Sequence, residues 1–279
     1  IIYCSISGFG QDGPYRDWPS YDIAMQGMGG FMSITGEPDR PPVRIGVAVS
    51  DIISGMYATI AILAALRARD QIGKGQWIDI SLLDSTVSVM TYMAGNYFAT
   101  GMNPRPAGSS HPTIVPYQAF KCMDGSYLIV AVGNDRHWEL MCKAVQAEQL
   151  LKASKFAHNA DRVRHRDELI PQLEKIYSSK PRQEWFKILT DTGVPCGPVY
   201  TMSEIFADPQ VLHRGMLLEM SHPKAGRVRL IGNPIKFSET QVQIKTPPPL
   251  LGESTDEVLK KLLNYSDDDI RKLREEGAI

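Results

Sequence analysis

Between Pro41 and Gly75 an apolar stretch, Val43 to Val49, runs into Ser50-Asp51 and then into a helical pattern carrying Met56, Ile60, Leu63 and Leu66, which Gly73 stops. No other segment constrains the fold as much. Its longest apolar run, Ile52 to Leu66, is interrupted by Ser54, Gly55 and Thr59. It falls short of the roughly 20 residues that a membrane span needs, so it predicts a buried helix. Lys74 to Leu83 follows as a turn and then a strand. The chain opens on Ile-Ile-Tyr-Cys-Ser-Ile-Ser-Gly, an apolar run ending in glycine that reads as a buried strand and a loop. Glycine-rich loops alternating with apolar helices and strands, from Ile1 to about Thr100, give an α/β layout.

A first residue inside a core strand, without Met and without the charged region of a signal peptide, predicts that an N-terminal portion is missing. Residues 101–116 hold four prolines among glycine and small polar residues and read as a linker. From 117 to 198 the pattern is a strand, an Asp124-Gly125 turn, a second strand from Tyr127 to Val132, and helices with Trp138, Leu169, Leu173, Trp185 and Leu189. That is a small α+β domain. Residues 199–279 form a return segment. It has short strands at Met216 to Met220 and Arg227 to Leu230, and a last helix opened by Ser266-Asp267-Asp268-Asp269.

Thirty basic residues against 31 acidic ones leave a formal net charge of -1, so nothing in the bulk electrostatics points to nucleic acid or to an anionic membrane. Small molecules or other proteins are the expected partners. Cys4, Cys122, Cys142 and Cys196 lie far apart, with no CxxC pair and no metal-ligand spacing, and read as reduced, mostly buried thiols. No metal site is expected.

Asp51 falls where a helix begins, so its carboxylate can accept backbone N–H bonds and be kept ionised by the helix dipole. Position alone favours a plain helix cap. Gly27, Gly29 and Gly30, then Gly36, Gly46 and Gly55, bracket this carboxylate, and glycine is needed where a ligand approaches the backbone closely. They are equally consistent with turns. Neither GxGxxG nor GxxxxGK[ST] is present.

The stretch from Ser5 to Tyr15 (Ser-Ile-Ser-Gly-Phe-Gly-Gln-Asp-Gly-Pro-Tyr), followed by Tyr21-Asp22 and Gln26-Gly27-Met28-Gly29-Gly30, resembles the core signature of the class III (CaiB/BaiF) CoA-transferase family. So do Gly46 to Asp51 with Gly55, Gly73 to Gln76, Asp79, Gly232 to Ile235 and Leu250 to Glu253. Long motifs in the right order, from the first residue to near the last, make the resemblance specific.

The resemblance implies a Rossmann-like large domain built from both ends of the chain, a smaller α+β domain between them, and an intertwined homodimer. It implies a further N-terminal segment that carries much of the CoA-phosphate contact. It also implies that Asp51 is the nucleophile in transfer of coenzyme A between an acyl-CoA and a free carboxylic acid. Tyr21, Asp22, Gly29 and Gly30 would contact substrate or CoA, although for Asp22 a structural role is favoured. No cofactor would be permanently bound, coenzyme A thioester being substrate, and the location would be cytoplasm or, in a eukaryote, mitochondrial matrix.

The same family contains acyl-CoA racemases, which place acid/base groups on both sides of the α-carbon. In these a histidine stands where this chain has Tyr21, and a tyrosine, with an ordinary pKa near 10, is a poor base at neutral pH. Transfer is therefore favoured over racemisation; a non-catalytic truncated fragment is the third reading. His137 reads as a helix-start contact, and His158, His165, His213 and His222 as solvated. Arg162, Arg164, His165 and Arg166 read as a solvated helix face with a CoA phosphate as the alternative, and His111 sits in the linker.

Overall fold

The computed structural model describes residues 1–279. The chain divides into two compact units, Ile1–Val199 and Tyr200–Ile279.

The first unit opens with β1 (Tyr3–Ser7), α1 (Asp22–Met28), α2 (Phe31–Ile34), α3 (Val49–Ile72) and β2 (Trp77–Ser81). Strands β1 and β2 pair in parallel, Ser5 opposite Asp79, so the segment between them is a crossover. Helices α4 (Leu82–Ser88) and α5 (Thr91–Thr100) follow. Ser81 caps α4 by accepting the Asp84 N–H at 3.1 Å, and Gly73 closes α3 in the left-handed conformation, φ 72°, donating to the Arg69 carbonyl.

Two expectations fail here. β1 is not a buried strand: Tyr3 and Ile6 are exposed, because the sheet has only two strands. Nor is α3 a buried helix. It runs unbroken through Gly55 and Thr59 for 24 residues, long and apolar enough to cross a membrane by length and composition. The ridge of Met56, Ile60 and Leu63 is exposed, Ile60 by 62%. What α3 buries is a stripe of small residues, Ser50, Ser54, Ala58 and Ala65, and α1, α4, β1 and β2 pack against it. Small side chains let the helix lie close to its neighbours.

The same unit holds a second layer with its own core. β3 (Tyr117–Lys121) and β4 (Tyr127–Ala131) form the expected hairpin across Asp124-Gly125, with Gly125 at φ 79°. Asp124 accepts the Ser126 N–H and hydroxyl, and these bonds hold its carboxyl below the usual range. Helices α6 (Asp135–Ala144), α7 (Glu148–Lys152), α8 (Asn159–Arg164), α9 (Arg166–Tyr177) and α10 (Arg182–Asp191) follow, and β5 (Cys196–Pro198) joins the other edge of β4. Leu128 and Val130 of β4 are buried together with Trp138, Leu169, Leu173 and Leu189. Cys122 and Cys142 are buried in this core too, and burial pushes the Cys142 thiol up to about 12.

Arg162 corrects the reading of its cluster as a solvated face. Its side chain is 0% exposed. It donates to the carbonyls of Val115 (2.8 Å), Phe156 (3.0 Å) and Ala157 (3.1 Å) and to Asp135 Oδ1 (2.9 Å), over the face of Trp138. Arg166 is also engaged, donating to the His111 carbonyl at 2.7 Å. His111 stacks on Tyr92 in the same unit.

In the second unit, α11 (Met202–Ile205) and α12 (Pro209–His213) lead into an antiparallel hairpin of β6 (Leu217–His222) and β7 (Gly226–Ile231), followed by α13 (Thr255–Leu263) and α14 (Asp267–Glu275). Ser266 caps α14 as expected, accepting the Asp269 N–H, while Asp269 accepts the Ser266 N–H in return. The motifs at Gly232 to Ile235 and Leu250 to Glu253 form local turns. Asn233 Oδ1 accepts the Ile235 N–H, and Glu253 Oε2 accepts the Leu250 N–H.

Candidate functional site

Parallel pairing sends β1 and β2 out of the sheet at the same end, and the loops leaving that end build the site. After β1 the chain turns through Gly10, φ 93°, whose N–H donates to Ser7 Oγ, and the Gln11 N–H donates to Asp79 Oδ2 at 2.9 Å. Asp79 thus ties the loop to the neighbouring strand. Tyr15 stacks on Trp18 and Phe9 meets both rings edge-on, an aromatic cluster that stiffens the loop.

Tyr21 is the residue before α1, 83% exposed and with a side chain that makes no cap bond. Asp22, the first residue of α1, is fully engaged. Its Oδ2 accepts from Gln26 Nε2 at 2.7 Å and its Oδ1 accepts the Ser50 backbone N–H at 2.9 Å. Ser50 is the second residue of α3, so Asp22 supplies an acceptor for one of the amides that a helix N-terminus leaves unpaired. The sequence reading gave such amides to Asp51. Asp51 is instead the third residue of α3, exposed, while the cap position is filled by Ala48, which has no side-chain acceptor. Capping at this terminus has passed to another helix, leaving the Asp51 carboxylate facing solvent. Asp22 and Ser50 are bonded, and Tyr21 and Asp51 are the chain neighbours of that pair, one residue away on each side.

The glycines separate by cause. A Cβ on Gly29 would lie 2.4 Å from Thr86 Cγ2 and 2.8 Å from the Met25 carbonyl, so Gly29 is required by packing of α1 against α4. Gly30 has φ 94° and faces Met90. Neither needs a ligand to explain it. Gly46 and Gly55 have open space where a Cβ would be. We expect Gly29→Ala to lower stability by roughly 1–3 kcal/mol, read as a fall in thermal midpoint, because the carbonyl cannot move aside.

Sequence reasoning gave Gln26, Ser50 and Thr86 no part of their own in the site, though all three are buried beside the start of α3. Gln26 and Asp22 stand at i and i+4 of one helix, a spacing that puts them on one face and was available as a signal. Thr86 had none.

Comparison with known proteins agrees with this architecture. The model of CoA-transferase family III matches residues 1–255. Human succinyl-CoA:glutarate CoA-transferase is 39% identical over 279 residues, which is all of this chain and 64% of that protein. Succinate--glutarate CoA-transferase of Agrobacterium fabrum is 39% identical over 262 residues, 94% of this chain and 65% of that one. A CaiB/BaiF family protein from Brucella suis has a crystal structure that superposes with a TM-score of 0.81 at 40% identity, covering 94% of this chain and 68% of that one. The chain belongs to CoA-transferase family III, the class that its motifs resemble. It spans less than two thirds of the length of these curated relatives.

Proposed function

We propose that this protein moves coenzyme A between an acyl-CoA and a free carboxylic acid, with Asp51 as the covalent nucleophile. The observation that carries the reading is the bond from the Ser50 N–H to Asp22, which secures the start of α3 while the adjacent Asp51 carboxylate stays exposed. A nucleophile must reach its substrate, and a carboxylate consumed by capping could not.

In the first step an Asp51 oxygen attacks the thioester carbonyl, the C–S bond breaks, and a mixed anhydride and CoA thiolate result. The thiolate then attacks the aspartyl carbonyl, the anhydride C–O bond breaks, and the donor leaves as its carboxylate. The acceptor acid repeats both steps in reverse. Charge builds on carbonyl oxygens at each addition, and backbone N–H groups of the glycine-bearing loops are the available donors. The names of the human and Agrobacterium relatives support a dicarboxylate such as succinate as one of the acids. The exposed apolar ridge of α3 supports a homodimer as the working unit. Coenzyme A is substrate here, with no resident cofactor in the scheme, and the reduced thiols suit the cytoplasm or a mitochondrial matrix.

Three measurements on the full-length protein test this. Incubation with succinyl-CoA should yield a hydroxylamine-sensitive adduct on Asp51, located by mass spectrometry. Tyr21→Phe should slow CoA exchange by no more than about tenfold, the worth of one hydrogen bond, and should still form the adduct. A racemase would behave otherwise. Rapid deuterium wash-in at the α-carbon of a 2-methylacyl-CoA, collapsing in Tyr21→Phe with no CoA exchange in either protein, would overturn the transfer reading.

A further inference from the structure

Beside the first turn of α3 lie three polar side chains that are completely buried and take no part in the proposed chemistry: Gln26, Ser50 and Thr86. Burying polar groups is costly unless each finds a partner. Here each does. The Gln26 amide accepts the Ile45 N–H (2.8 Å) and donates to Asp22 Oδ2 (2.7 Å) and the Val47 carbonyl (3.2 Å). Thr86 Oγ1 sits 2.9 Å from Ser50 Oγ and donates to the Leu82 carbonyl at 2.7 Å. The Ser50 carbonyl accepts from Ser54 Oγ.

The backbone that the network grips has few other ties: the Val47 carbonyl accepts the Val49 N–H at 2.8 Å and the Ala48 carbonyl accepts the Ile52 N–H at 3.1 Å. Residues 41–48 belong to no helix or strand, so no ladder of main-chain bonds fixes their path into α3. Gln26, reaching from α1, binds that path at two places. Thr86, reaching from α4, binds the helix one residue before Asp51.

We propose that Gln26 and Thr86 are positioning residues for Asp51, locking the chain from Ile45 through Ser50 so that the next carboxylate is presented in one place. The proposal rests on the reading of Asp51 as nucleophile. Misplacing a reacting group by about 1 Å can cost on the order of a hundredfold in rate, so a loose first turn would slow chemistry without weakening substrate binding.

Paired substitutions at Thr86 in the full-length protein separate this from simple packing. Thr86→Val keeps the shape against Gly29 and removes the hydroxyl; Thr86→Ser keeps the hydroxyl and removes the methyl. The expected result is that Thr86→Val lowers kcat for CoA transfer roughly ten- to a hundredfold, with KM for the acyl-CoA changed by less than about twofold. Thr86→Ser should stay close to wild type. Amide deuterium uptake over residues 45–52 should rise in Thr86→Val and stay low in Thr86→Ser. Gln26→Met, similar in size and without the amide, should follow Thr86→Val in both measurements.

A wild-type kcat in both Thr86→Val and Gln26→Met would overturn the proposal, as would a Thr86→Ser that loses as much as Thr86→Val. A fall in kcat with unchanged uptake over 45–52 would also overturn it. Should either fully buried substitution unfold the protein, the other carries the comparison. Wild type that neither exchanges CoA nor forms an Asp51 adduct would refute the nucleophile, and the positioning with it. An adduct in wild type with unaffected variants would refute the positioning alone.

Discussion

Asp51→Ala is expected to abolish CoA transfer, to below about one percent of wild type, and to leave no adduct after incubation with succinyl-CoA. The fold should be unaffected. Asp51 is exposed and its carboxylate caps nothing, so its removal forfeits at most the dipole interaction of a first-turn acid, about 0.3–1 kcal/mol. A cap would behave differently, costing about 0.5–2 kcal/mol with no special loss of chemistry. Parallel measurement of CoA exchange and thermal unfolding therefore distinguishes the two roles. Retained exchange together with a lowered midpoint would falsify the nucleophile assignment. Alanine is the cleaner choice, since an asparagine at this position could recover the carboxylate by slow deamidation.

Arg162→Ala is expected to be the most damaging change to stability, about 3–5 kcal/mol, seen as a marked fall in the urea midpoint. The guanidinium joins parts of the small α+β layer that lie far apart in sequence. Val115 enters β3, Phe156 and Ala157 precede α8, and Asp135 starts α6. Removing it leaves three buried or partly buried carbonyls without their donor and empties the space beneath Trp138. Arg162→Lys should recover little, because one ammonium cannot present the fork that reaches acceptors on several sides. A loss under about 1 kcal/mol in Arg162→Ala would show that water replaces these bonds at no cost.

How much of this could be read from residues alone differs from place to place, for physical reasons. The Asp124-Gly125 hairpin, the Gly73 stop of α3 and the Ser266 cap of α14 were legible because local backbone chemistry decides them, within a few residues. Burial was not. In the run from Arg162 to Arg166 the charged residues look alike. The one that turns inward does so because the loop before β3, 47 positions away, brings the Val115 carbonyl to it, and Asp135 comes from 27 positions away. Along α3 the helical period of Met56, Ile60 and Leu63 was read correctly but assigned to the wrong side, since periodicity marks a stripe without saying which neighbour it faces. Asp51 was singled out through its motif and its place at a helix start. The partner that relieves it of capping, Asp22, sits 28 positions away from Ser50, and only the fold brings them together.

The inverted packing of α3 also redraws the chain's map of mutational tolerance. On an ordinary amphipathic helix the bulky apolar positions are the ones that cannot change. Here, as far as contacts within the chain decide, enlarging Ser54 or Ala58 by a few carbons is the disruptive substitution, because those positions sit where neighbouring elements close in. Trimming Ile60 or Leu63 touches little of the chain's own structure. The least conspicuous side chains of α3 therefore set how near the helix can come to the sheet, and with it where the first turn that carries Asp51 is held.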